Sequence, residues 1–289
     1  MAISANQVKE LRDKTGAGMM DCKKAIEEAN GDFEKAIEIL RKKGAAVAAK
    51  RAERTANEGI VLTRVFNNGK NAAIIEVNCE TDFVAKSDDF INFANLALDI
   101  VISEKPADLH SLMSISKNGK KVGDELNALI GKIGEKIEIS RFAIDSTEMG
   151  LIVDYIHAGS KLAVLIEADN VSEAASSEFQ TILKDIAMQV AAMRPIAIYR
   201  DEVDKTLIEK ELEIYRELAR KEGKPEQILE KIAVGKLNKF YEENCLFEQT
   251  FVKDNTKKVG ILIEEFNKKN SSQAKLVKFR RFHLSDEKK

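Results

Sequence analysis

Residues able to do chemistry are few in this chain, and their spacing rarely suits a reaction. The run Thr15-Gly16-Ala17-Gly18-Met19-Met20 has the glycine spacing of a phosphate-binding loop, in which backbone N–H groups at a helix start cradle an anion. It follows a helical pattern rather than a strand, lacks a third glycine and has no Gly-Lys-Ser/Thr ending, so it reads as a turn between two helices. Asp88-Asp89 could be a carboxylate pair for acid–base work, but adjacent acids just ahead of Phe90 better suit a helix cap facing the positive end of a dipole. Cys22, Cys79 and Cys245 form no Cys-x-x-Cys pair, and His110, His157 and His283 stand at no zinc-ligand spacing from them. Nucleophile-elbow, His-Glu-x-x-His and deaminase signatures are missing too. No catalytic residue, metal site or cofactor is therefore expected.

One segment stands apart. Cys79-Glu80-Thr81-Asp82-Phe83-Val84-Ala85-Lys86 places two apolar residues, Phe83 and Val84, between polar ones just after a strand pattern. Either Phe83 folds back over the helix carrying Phe93, or it stays outside as an interface anchor, forgoing roughly 2 kcal/mol of burial. His157, beside a turn at a strand end, suits a local hydrogen bond or a contact role. The basic run Lys42 to Arg54 could meet RNA, but it has no base-stacking aromatics and reads more simply as a solvated helix. Lys278-Phe279-Arg280-Arg281-Phe282 interleaves basic and aromatic residues, as a strand does with its phenylalanines inward and its charges outward.

The elements that must position these residues belong to an α+β fold. With 289 residues the chain is long enough for two to three domains, and its 46 basic and 48 acidic side chains nearly cancel. No global field draws it to nucleic acid or anionic lipid. Three scattered cysteines suit a reducing compartment, Met1 to Glu10 has no signal-peptide core, and no apolar run approaches the roughly 20 residues of a membrane span. A cytoplasmic protein without membrane contact is expected.

Up to about Thr55 the pattern is helical. Ser4 caps one helix ending near Gly16, a second runs from about Gly18 to Asn30-Gly31, and Asp32 caps a third with Gly44 beyond its end. Ala45 to Ala56 reads as an exposed helical linker, which suggests a mobile first module without establishing it. Strands follow at Ile60–Val65 and Ala73–Val77 around an Asn67-Asn68-Gly69 turn, then a helix from Asp89 to about Ser103 stopped by Pro106. A further helix spans Val122 to Gly134 before a strand through Ile137, Ile139 and Phe142. A second hairpin, Leu151–His157 and Leu162–Ala168, leads to a helix from about Ser172 to Met193. These stretches read as an internal repeat: Phe90 to Pro106 and Phe179 to Pro195 each span 16 positions, whereas Glu76 to Phe90 is 14 and Glu167 to Phe179 only 12. The first copy thus has extra length where Thr81–Val84 lies.

Two stripes, Ile208/Leu212/Tyr215/Ala219 and Ile228/Ile232/Lys236/Phe240, flank a Gly223-Lys224-Pro225 turn and predict an antiparallel helical hairpin over about 201–243. A helix near Lys258–Lys269 and a strand from Ala274 to Leu284 close the chain. The expected division is a three-helix module with its basic linker over 1–55, one sheet-plus-helix subdomain over 56–145, and a similar one over 146–289 that carries the hairpin.

Two long motifs resemble bacterial elongation factor Ts: Thr15-Gly16-Ala17-Gly18-Met19-Met20-Asp21-Cys22-Lys23-Lys24-Ala25, and Glu76-Val77-Asn78-Cys79-Glu80-Thr81-Asp82-Phe83-Val84-Ala85. The likeness continues through Tyr155-Ile156-His157, Ala187 to Pro195 and Gln249-Thr250-Phe251-Val252, and departs after Tyr241 in the stretch Asn244-Cys245-Leu246-Phe247-Glu248. The resemblance implies guanine-nucleotide exchange on elongation factor Tu, with no catalytic residues of the chain's own. It also implies that the N-terminal module is UBA-like and that the hairpin is a coiled coil. On that likeness Thr81, Asp82, Phe83 and Val84 intrude near the partner's nucleotide and dislodge Mg²⁺, Met19, Met20 and Lys23 dock the N-terminal module, and His157 touches another domain of the partner. Direct nucleic-acid binding is not expected, and an oligomer of the complex is left open. An RNA-binding module and an enzyme with a scattered site remain as alternatives.

Overall fold

The computed structural model describes residues 4–171 and 176–286. It begins with three helices, α1 (Ala5–Thr15), α2 (Met19–Glu28) and α3 (Phe33–Arg51). Ser4 and Gln7 form a reciprocal cap on α1: the Gln7 N–H donates to Ser4 Oγ at 3.2 Å and the Ser4 N–H to Gln7 Oε1 at 3.0 Å. Gly16, at φ +69°, closes the helix in the left-handed region that a residue without a Cβ enters freely. Asp32 caps α3 by accepting from the Lys35 N–H. Leu11, Cys22, Ala25, Ile26, Ala29 and Ala36 make a small core among the three.

The first sheet is built from β1 (Glu58–Phe66), β2 (Asn71–Cys79) and, later in the chain, β5 (Ile137–Ser146). Between β2 and β5 lie the one-turn α4 (Asp82–Ala85), α5 (Asp88–Glu104), α6 (Leu109–Ser114), the two-residue strands β3 (Ser116–Lys117) and β4 (Lys120–Lys121), and α7 (Val122–Ile133). The second sheet uses β6 (Leu151–Ile156), β7 (Leu162–Asp169) and a last strand, β10. Before β10 come α8 (Ser176–Met193), α9 (Lys205–Lys221), α10 (Glu226–Asn244), β8 (Thr250–Phe251), β9 (Asp254–Lys258) and α11 (Val259–Asn270), and β10 itself is Lys275–His283. The expected helix start at Ser172 lies outside the described residues. Both sheets are antiparallel, with orders β1-β2-β5 and β10-β7-β6.

The repeat runs deeper than the sequence spacing indicates. Each copy is a hairpin, a long helix, a small hairpin (β3–β4 or β8–β9), a shorter helix (α7 or α11) and a third strand beside the second. In the second copy α9 and α10 are inserted after the long helix. Their ion pairs, Arg216–Glu230 and Arg220–Glu226, converge on the connecting turn, so the two helices run antiparallel. Ala219, Leu229 and Ala233 are buried along the seam. Ile228, expected in the second stripe, is 41% exposed, because the inner face of α10 is centred one residue later, at Leu229.

The sheets pack face to face. Ala73, Ile75, Val77 and Cys79 of β2 point toward α5 and α7, while Ala72 and Ile74 meet Ile152, Ala163, Leu165 and Phe282 of the other sheet. On the far side Leu162, Val164 and Ile166 of β7 bury against α8 and α11. Alternation along two central strands therefore fills three cores.

Charges also lie between the sheets. Arg280 gives two hydrogen bonds of 2.8 Å to Asp145, which Lys278 joins. Arg141 holds the fully buried Glu76 at 2.8 Å and donates to the His283 carbonyl at 3.1 Å. The expected outward orientation of the β10 charges is thus corrected: Lys278 and Arg280 face the other sheet, because Asp145 supplies a buried carboxylate there.

The end of the third helix also differs from expectation. α3 runs through Gly44 to Arg51, and Gly44 is buried. A Cβ on Gly44 would stand 2.7 Å from the Asn127 carbonyl oxygen, and one on Gly131 would stand 3.0 Å from the Gly44 Cα. Glycine here permits a backbone-to-backbone crossing of α3 over α7 rather than ending a helix, and the first half of the supposed linker is the docked end of α3.

Candidate functional site

β2 delivers the chain to Cys79, and the next two residues anchor the turn beyond it. The Thr81 N–H and hydroxyl donate to the two carboxylate oxygens of Glu135, at 3.1 and 2.8 Å. Thr81 Oγ1 in turn accepts from the Val84 N–H at 3.4 Å as the N-cap of α4. Glu80 accepts from the Lys136 N–H at 2.6 Å and from the Arg54 guanidinium at 3.0 Å. The Cys79 thiol donates to the Thr81 carbonyl at 3.2 Å, and burial followed by the Glu135 charge pushes that thiol up to about 12, the opposite of the lowered thiol a nucleophile uses.

The segment expected as loop is therefore a single helical turn with one face held down. Ala85 is buried, Val84 packs on the first core, and Ser87 ties back to the Val84 carbonyl at 2.8 Å. A step of 100° per residue then turns Phe83 outward, where it is 81% exposed. Of the two readings of Phe83 the outward one is the observed one: Phe93 is covered without it. Beside it Asp82 accepts from Lys86 at 2.8 Å, a hydrogen bond that lowers its carboxyl below the usual range.

The other candidates lie on separate elements. Met19 and Met20 share the first turn of α2 and are 58% and 63% exposed, and Lys23, one turn on, makes a 3.9 Å surface pair with Glu27. His157 is exposed after β6, its N–H donating to the Leu162 carbonyl and its Nδ1 lying 2.9 Å from the Tyr155 hydroxyl. In the same turn Lys161 pairs with Glu58 at the start of β1, and its charge reaches Asp82, so the His157 turn and α4 share one end of the molecule. α2 packs instead with α1 and α3 in the small N-terminal core.

Sequence reading missed Glu135 altogether and the bracing role of Glu80 and Arg54. Glu135 is one polar residue between a helix-ending glycine and a strand, and only its position in space marks it. Asp88 and Asp89 stand in the first turn of α5, where their charges face the dipole as expected, but the N-cap position they were expected to fill belongs to Ser87. Among the described residues no group of three His, Cys, Asp or Glu is placed to hold a metal ion, and no helix is long and apolar enough to cross a membrane.

An α+β scaffold that holds an aromatic out on a braced helical turn has the build of a docking protein. Comparison with known proteins gives that class a family: residues 80–286 match the model described as elongation factor Ts. Elongation factor Ts of Prosthecochloris aestuarii is 47% identical over 286 residues, 98% of each chain, and that of Chlorobaculum tepidum is 48% identical over 287 residues, again 98% of each. The Clostridium kluyveri protein of the same name is 47% identical over 98% of this chain and 93% of its own length. The chain belongs to the elongation factor Ts family, the nucleotide exchange factors of translation elongation.

Proposed function

We propose that this chain accelerates GDP release from elongation factor Tu by pressing the Thr81–Val84 turn into the GTPase beside its nucleotide. The observation that carries this reading is Phe83, 81% exposed on a turn whose other apolar residues, Val84 and Ala85, pack against the first core. A large apolar side chain kept in water by a rigid mount is an interface anchor waiting for its pocket. In this reading Phe83 enters between partner helices, Asp82 adds polar contacts, and the residues holding the partner's Mg²⁺ shift, which weakens the hold on the phosphates. Exchange factor and nucleotide then lower each other's affinity by the same factor.

Met19, Met20 and Lys23 dock the N-terminal module, read as UBA-like over 1–55, and His157 meets a second domain of the partner. The α9–α10 pair, within 201–243, is read as the protruding coiled coil, carried by a subdomain over 146–289 that follows its counterpart over 56–145. An RNA-binding role has less support, since most of the basic residues it needs are engaged by acids: Lys42 by Glu38, Lys43 by Asp21, Arg51 and Arg54 by Glu80, Lys278 and Arg280 by Asp145.

The test is direct. Adding the protein to elongation factor Tu loaded with fluorescent GDP should speed loss of the label when unlabelled nucleotide is in excess. A release rate unchanged at every concentration of the chain would overturn the proposal.

A further inference from the structure

We propose that Glu135, in the turn between α7 and β5, is the positioning residue that aims Phe83 for exchange, an inference that rests on the reading of Thr81–Val84 as the inserted turn. α4 has four residues, too few to hold a helical geometry by themselves, since the first turn costs more order than its single hydrogen bond returns. Its orientation must come from outside, and both donors of its capping residue, the Thr81 N–H and hydroxyl, end on the Glu135 carboxylate.

The brace is reciprocal. Glu80 reaches across to the Lys136 N–H while Glu135 reaches back to Thr81, so two adjacent residues of one segment are cross-tied to two adjacent residues of the other. Hydrogen bonds to an ionised carboxylate are among the stronger ones available, and this pair fixes both the position and the tilt of the helical turn.

The mount is also shared. α7, which ends one residue before the Gly134-Glu135 turn, is the helix that α3 crosses at Gly44 and Gly131. Arg54, just beyond α3, closes the circuit by pairing with Glu80 at 3.0 Å. One helix thus sets the place of the N-terminal module and of Phe83 together. A partner held by the module meets Phe83 at a fixed offset, and Glu135 transmits that offset. Because Glu135 is only half-buried and lies outside the three cores, its role is separable from folding.

The chain has no tryptophan, so Phe83→Trp places a single fluorescent reporter on the turn itself. In that background Glu135→Ala should lower the tryptophan anisotropy while leaving the melting temperature and far-ultraviolet dichroism unchanged. With Phe83 in place, Glu135→Ala should reduce the maximal GDP-release rate about tenfold, the scale of one charge-assisted hydrogen bond. The concentration for half-maximal effect should stay within about twofold, because docking lies elsewhere. Glu135→Gln, which keeps one acceptor, should recover part of the rate. Thr81→Val should give a loss that Glu135→Ala does not deepen, as expected of two ends of one interaction. Unchanged anisotropy and rate in Glu135→Ala, or losses that multiply in the double variant, would overturn the proposal. A looser turn with an undiminished rate would keep Glu135 as the brace and sink the inserted-turn reading on which its purpose depends.

Discussion

Replacing Phe83 by alanine removes a ring that is 81% exposed in the free chain. Almost none of its apolar surface contributes to folding, so the substitution should change stability by less than about 0.5 kcal/mol, as at other surface sites. The same ring, if buried in a pocket of the GTPase, gains roughly 2 kcal/mol, and nearly all of that gain belongs to the complex because so little has been realised beforehand. At 1.4 kcal/mol per factor of ten this corresponds to about 30-fold. The loss should appear in the maximal rate rather than in half-saturation if insertion comes after docking through α2 and the His157 turn. Stopped-flow release of fluorescent GDP from elongation factor Tu over a concentration series separates the two. A variant that matches the wild type at saturation would refute the inserted-ring argument even if the wild type exchanges nucleotide. A variant that melts several degrees lower would refute the premise that Phe83 is outside the core.

Three further outcomes are expected from the packing. Gly44→Leu should push α3 off α7 and cost about 1–3 kcal/mol through overpacking against the Asn127 carbonyl, offsetting the roughly 1 kcal/mol of helix propensity gained. Limited proteolysis should then release the N-terminal helices first, and an unchanged digestion pattern would count against the crossing. Stability should fall with acid in two stages. Burial, then the Arg281 charge, push His283 below its ordinary 6.5, so the unfolded chain takes up that proton first and stability declines as pH drops through about 6.5. Burial alone would raise Asp145, but Arg280 and Lys278 outweigh it and hold it below 3.8. The stability this pair supplies is therefore full above about pH 4 and is lost as pH falls through the folded value. Asp145→Asn should abolish the lower stage and cost about 2–3 kcal/mol at neutral pH, discounted because its cationic partners keep water contact, as a melting series from pH 8 to 3 can read. Finally, Cys22, Cys79 and Cys245 are buried, with Cys79 pushed up to about 12 and Cys245 to about 11, burial being the first cause of both. Iodoacetamide at pH 8 should label none of them until the chain is unfolded, and rapid labelling of the native protein would contradict the burial.

The features legible from the sequence are those set by neighbours along the chain. Ser4 and Gln7 sit three apart, and Gly16 and Asp32 mark helix ends where the backbone needs a left-handed residue or a side-chain acceptor. Short apolar runs beside turn residues, Ala73–Val77 and Leu162–Ala168, marked two strands, and equal spacing to Pro106 and Pro195 marked the repeat. The long resemblance motifs pointed to the family before any contact was seen. Where periodicity was thin the sequence misled by one place, as at Ile228 against Leu229, because a one-residue rotation of a short apolar stripe changes local energies little.

Tertiary structure decided what depends on residues far apart. Gly44 looks like a helix end until α7 is brought over it. Lys278 and Arg280 look outward until Asp145, 133 and 135 positions away, accepts them from the other sheet. Phe83 had two local readings, of which the extra length of the first copy favoured the outward one, and its exposure is held by Glu135, 54 positions from Thr81, which fixes the capping residue and so the direction each side chain of the turn takes. Burial and charge pairing are sums over neighbours in space. Sequence pattern reports the faces of an element, but which face meets a partner is settled only when distant carboxylates, glycines and strands arrive beside it.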